Sequence, residues 1–176
     1  MFQKRCRQRT MFEVAFLVPS EKRVRLEASW AQGFQEKALP IIEEDAFREL
    51  YCEDNGAPNK AVQIVLGALL LKEMSNLTDE ETVARVEFDL RWQHALRLTP
   101  EEAHVSSKTL YNFRMRLVKS DGGRKAFESV CSGVLRALGV SVARQRLDST
   151  YVCSNVARVS RLGLFCEVHP TPLYPA

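Results

Sequence analysis

No stretch of this sequence is apolar for long enough to cross a membrane. The longest apolar run, residues 61–71, is interrupted by Gln63 and followed by Lys72 and Glu73. It falls well short of the roughly 20 residues a spanning helix needs and reads as a buried helix. The amino end, MFQKRCRQRTMFEVAFLVPS, starts basic like a signal peptide, but Glu13 breaks its apolar part and no small-residue cleavage site follows, which argues against export. Cys6, Cys52, Cys131, Cys153 and Cys166 are an odd set without a C-x-x-C pair, and His94, His104 and His169 stand at no zinc spacing. Disulfide scaffolds and the common zinc modules are thereby disfavoured, and a reducing cytoplasm fits best. Repeats and low-complexity tracts are absent as well. What is left, 45% hydrophobic and 27% charged residues, is the ordinary composition of one soluble globular domain.

Acidic residues are scarce at both ends of the chain. Residues 1–42 carry eight Lys or Arg against four acids, residues 43–104 six against fourteen, and residues 105–176 eleven against four. The net charge of +3 conceals this segregation, which suits a protein with an anionic partner on one face.

After a basic, irregular arm and entry segment over 1–42, helical signals dominate. Ile42, Ala46, Phe47 and Leu50 predict a helix over about 43–52, stopped by the turn formers of residues 54–58. Asn59 is a candidate cap for a helix over 60–75, so rich in Val, Ile and Leu that it belongs at the centre of a bundle. Its expected core positions include Ile64, Leu66, Leu69 and Leu70. Thr78 to Glu81 has the S/T-x-x-E form of a capping box and starts a helix to about 87, with Val83 and Val86 inward. An apolar stretch around Phe88, Leu90, Trp92 and Leu96 follows, then a one-turn helical start at Thr99 to Glu102. A last helix is predicted over 124–138, closed by Gly139. Beyond it, Val140, Val142, Leu147, Tyr151 and Val152 are strand-compatible.

The helix predicted from Ser106 or Ser107 to about Val118 is the most informative. Leu110, Phe113 and Leu117 give it an apolar stripe. On its opposite face Lys108, Asn112, Arg116 and Lys119 form a line of cations with an amide among them. Those are the residue types that contact DNA: Arg and Lys for phosphate or guanine, Asn for adenine or phosphate.

Three stretches in this order, YCEDNGAPNKAVQIVLGALLLKEMSNLTDEETVARVEFDLRWQHAL, SSKTLYNFRMRL and RLDSTYVCSNVARVSRLGLF, resemble the amino-terminal part of bacterial insertion-sequence transposases of the DDE class. The resemblance covers roughly residues 10–166. It implies a mainly α fold: a helical amino-terminal domain over 43–139, followed at 140–176 by a short strand-like or irregular stub of an RNase H-like catalytic domain. It implies DNA, the element ends, as partner, with transposase subunits or a second copy as further partners and no membrane. Asp148 matches the family's first catalytic aspartate and first Mg²⁺ ligand. Strand cleavage and transfer in such a site need several carboxylates converging on two Mg²⁺ ions about 3.5–4 Å apart, and one aspartate does not hold Mg²⁺ stably. Glu167 is the only acid after Asp148, and three prolines crowd residues 170–175. The expectation is therefore a truncated transposase whose helical domain serves DNA binding and assembly while its catalytic site is incomplete. A self-association module, or a transposase remnant without function, is the alternative.

Overall fold

The helix predicted from the longest apolar run lies at the centre of the main core formed by the described residues. The structure, a computed structural model, describes residues 2, 4, 5, 13–51 and 59–139. The expected strand-like stub, Asp148 and Glu167 lie outside the described residues. Helix α4 spans Val62–Ser75, and its residues from Val62 through Leu69 are buried without a break, as is Leu71. Protein surrounds it on nearly every side, which is why its sequence carries no polar stripe. Leu70, expected in the core, is half-buried and packs against the core's edge.

The amino terminus of α4 corrects one expectation. Asn59 does not cap it; the Asn59 amide donates to the Lys60 carbonyl at 2.9 Å. The cap comes from 19 residues upstream. Glu44 Oε1 accepts from the Gln63 N–H at 3.0 Å, and Glu44 Oε2 accepts from the Arg5 N–H at 2.7 Å. A buried carboxylate at this end answers both one of the unpaired N–H groups of the first turn, that of Gln63, and the positive end of the helix dipole. At the other end Asn76 adopts the left-handed conformation, φ 57°, and closes the helix.

Glu44 opens a second correction, because the helix expected over 43–52 is a 3₁₀ helix, Glu44–Leu50. Glu44, Phe47 and Leu50 are its buried residues. They recur every three positions, and a helix of three residues per turn sets them on one side.

Between residues 14 and 41, the stretch expected to be an irregular arm is a series of short helical pieces. Helices α1 (Val14–Leu17), α2 (Ser20–Glu27) and α3 (Trp30–Gly33) lead into a π-helical turn, Phe34–Ala38, and a 3₁₀ turn, Leu39–Ile41. Pro19, Ser29 and Pro40 punctuate these pieces. Each piece is too short to show a helical period on its own, and burial of Ala31, Phe34, Ala38, Leu39 and Ile42 in the main core holds them. Val14, Ala15 and Leu26 form a small separate cluster beneath α1 and α2.

Helix α5 (Asp79–Phe88) begins at the capping box, with Thr78 and Glu81 exchanging both bonds. Val86 is fully buried and Val83 partly so. Helix α6 (Leu90–Ala95) buries Trp92, whereas Phe88 and Leu90 are exposed. Thr99 and Glu102 reproduce the capping-box bonds around a single turn. Helices α7 (Ser107–Lys119) and α8 (Asp121–Ala137) follow. The start of α8 precedes the predicted Arg124 because Gly122 and Gly123, poor helix formers in sequence, serve close packing: a Cβ on either would collide with Glu49 or Leu50. Gly139, at φ 67°, ends the helix as expected.

Three buried glutamines complete the interior. Gln35, Gln63 and Gln93 donate to the carbonyls of His94, Leu39 and Glu87, at 2.7, 3.0 and 2.7 Å. The His94 and Leu39 carbonyls also accept from the backbone N–H groups of Arg97 and Ile42, at 3.0 and 3.2 Å, so there the glutamines add a second bond, whereas the Glu87 carbonyl lies in the last turn of α5, where helix carbonyls lack an intrahelical partner. Glu44→Ala should lower the unfolding free energy by about 1–3 kcal/mol, the cost of leaving buried N–H groups unpaired. Urea unfolding checks this, and wild-type stability in the variant would mean that Glu44 does not cap α4.

Candidate nucleic-acid interface

Helix α7 is held so that its two faces have different fates. Ser106 caps it, its hydroxyl accepting from the Thr109 N–H at 3.2 Å. Leu110, Phe113 and Leu117 are buried, as the spacing predicts, and the Phe113 ring meets that of Phe47 with centroids 6.2 Å apart. Ser120 joins α7 to α8 in a single residue. It ends one helix and caps the next, accepting from the Gly123 N–H at 3.0 Å while donating to Glu49 at 2.6 Å.

One charged residue of α7 is turned inward. Both terminal nitrogens of Arg114 donate to the two oxygens of Asp79, one of them at 2.8 Å, and Lys72 Nζ lies 3.4 Å from the same carboxylate. Asp79 thus ties the last turn of α4, the first turn of α5 and the middle of α7. Burial works to raise the pKa of this carboxyl, but the bonds and charge of Arg114, then those of Lys72, outweigh it and hold Asp79 below its ordinary value.

Lys108, Asn112, Arg116 and Lys119, the four predicted contact residues, are all exposed. They follow one another along about 16 Å of helix. Lys108 and Lys119 form no ion pair with another described residue. The Arg116 guanidinium lies over the Tyr51 ring, 5.0 Å from its centroid, a cation–π contact. Burial pushes the Tyr51 hydroxyl above its usual value, against the opposing influence of Arg116. Residues that the sequence reading missed share the exposed face: Tyr111, Met115 and Val118. Their i, i+4, i+7 spacing was there to be seen beside the stronger buried stripe.

Residues 24–116 match the family model described as Transposase domain (DUF772). The chain belongs to this transposase-domain family. The match covers more than half of the chain, starts within α2 and ends at Arg116, so it takes in residues 24–42 of the segment expected to be an arm and most of the exposed α7 face. No curated protein and no solved structure matches.

Other charged regions of this transposase-family chain are less available. Lys4 pairs with Asp45 at 2.6 Å, and Arg5 donates to the Leu96 and Arg97 carbonyls, so two cations of the basic amino end already have partners within the fold. An open groove lined by Lys22, Arg25, Phe88, Leu90 and two further arginines has its Arg85 and Arg91 bonded to Asp89 at 3.1 and 3.3 Å. Among the described residues no group of three or more His, Cys, Asp or Glu side chains is placed to hold a metal ion. Cys131 is half-buried, and burial pushes its thiol up to about 11, which keeps it protonated and unreactive near neutrality. No helix among the described residues is long and apolar enough to cross a membrane.

Asp79→Asn should destabilise the protein by about 1–2 kcal/mol at neutral pH, since it removes a partly buried charged bond to Arg114. The folded state lowers the Asp79 value, so its stabilisation is present above about pH 4, the unfolded value, and is lost as pH falls through the folded one. Unfolding curves of wild type and variant should therefore converge in acid, and a gap that stays constant with pH would contradict this.

Proposed function

We propose that this transposase-family chain binds DNA, and that the outer face of α7 is its principal contact. The observation that carries the reading is the separation of roles along one helix: Arg114 is consumed by Asp79, while Lys108, Arg116 and Lys119 stand outward with Asn112 among them. A helix already folded and anchored on its far side gives up little conformational freedom on binding, so charge neutralisation at phosphates translates into affinity. The family's own description, a transposase domain, supports DNA as the partner. The order of sequence motifs supports the finer reading of a DDE-class enzyme acting at insertion-sequence ends, with Asp148 the first of the carboxylates that would hold Mg²⁺.

Replacing Lys108, Arg116 and Lys119 together by alanine tests the role of the face. Affinity for duplex DNA should fall, and the slope of log affinity against log salt should flatten by up to roughly 3, about 0.9 for each lost phosphate contact. A gel-shift titration across salt concentrations reads this directly. An unchanged slope would place the DNA on another surface, and no wild-type binding at ~50 mM salt, where phosphate contacts are strong, would reject DNA binding altogether.

A further inference from the structure

The outer face of α7 carries two stripes. Lys108, Asn112, Arg116 and Lys119 run along one side. Tyr111, Met115 and Val118 run along the other, and they are 55%, 37% and 60% exposed. The fold has its own apolar stripe on this helix in Leu110, Phe113 and Leu117, so the outer three are surplus to the core. Apolar side chains grouped on one face of a surface helix are candidate contact residues.

A second copy of the chain is a poor cover. A two-fold contact of α7 with its equivalent sets the same surface against itself, which would bring Lys108, Arg116 and Lys119 of both copies alongside the apolar seam, like charge facing like. Duplex DNA suits both stripes together. Its major groove, about 12 Å wide, admits a helix of about 10–12 Å. Phosphates line the rim, within reach of the cations. The floor carries the C5 methyl of thymine, the apolar group on the base edges. Asn112 adds a third element, because a carboxamide can pair with N6 and N7 of adenine, the base opposite that methyl.

We infer that α7 reads A·T base pairs in the major groove, with Asn112 bonding adenine and Met115 and Val118 packing on thymine methyl groups. This rests on the proposed DNA binding and states what the α7 face recognises there. Arg116 and the lysines hold the helix in register through phosphates, and Asn112 together with the apolar stripe supplies the choice of base.

The test is to titrate the full chain with a short A·T-rich duplex made once with thymine and once with uracil, which differs only by lacking the methyl. The uracil duplex should bind about fourfold more weakly for each methyl withdrawn from contact. The double variant Met115→Ala, Val118→Ala should bind both duplexes alike while keeping the wild-type salt slope. Both positions are exposed, circular dichroism checks the variant's fold, and the wild-type comparison stands without any variant. Equal wild-type affinity for the two duplexes, with a steep salt dependence, overturns the inference and leaves phosphate binding intact. Absence of binding to either duplex overturns both. A concentration-dependent dimer abolished by the double variant would assign the apolar stripe to a second copy, and would also overturn it.

Discussion

The pairing of Arg114 with Asp79 determines which way α7 faces. A helix with cations at 108, 114, 116 and 119 could in principle be rolled several ways against a bundle. Its apolar residues alone fix the roll only within the width of their stripe. The bidentate contact removes that freedom, because two parallel N–H bonds to one carboxylate hold the guanidinium plane as well as its position. Arg116, two residues on, is thereby carried to the outside, where it rests on Tyr51. The same carboxylate receives Lys72, so the roll of α7 is referenced to the central helix and not merely to its neighbour.

That central helix is supported by groups brought from far away in the chain. Glu44 caps α4 from another helix, and Gln63 on α4 returns a bond to Leu39. Gly67, in the middle of α4, lets Leu96 and Leu39 approach so closely that a Cβ there would sit 2.6 Å from Leu96. The consequence for function is rigidity: α7 and α8 pack on one another and on the segments that hold α4, so the exposed face of α7 is presented by a framework and not by a loop.

The readable features of the sequence were the local ones. Thr78 with Glu81, Ser106, Gly139 and the Leu110, Phe113, Leu117 stripe signal structure within a few residues of themselves, and each appears where its spacing put it. Asn59 misled because a capping side chain next to an apolar run is a good local signal, whereas Glu44 satisfies the first-turn N–H of Gln63 through tertiary structure that no spacing reveals. The period of three at Glu44, Phe47 and Leu50 looks like part of a 3.6-residue pattern over so short a stretch. Residues 14–41 were obscured by their charge and by prolines that cut the helices below the length at which periodicity shows. On the candidate interface, the four polar residues were legible from helical geometry; the inward turn of Arg114 was not, because its partner Asp79 lies 35 residues away.

Assignment of amide signals in the full chain, followed by titration with duplex DNA, tests the central claim most directly, since it reports every contacted element at once. The account predicts shift changes concentrated along residues 108–119 and at Tyr51, which supports Arg116, with the groove around Lys22, Arg25 and Phe88 little affected. Changes concentrated in that groove, with α7 silent, would contradict it.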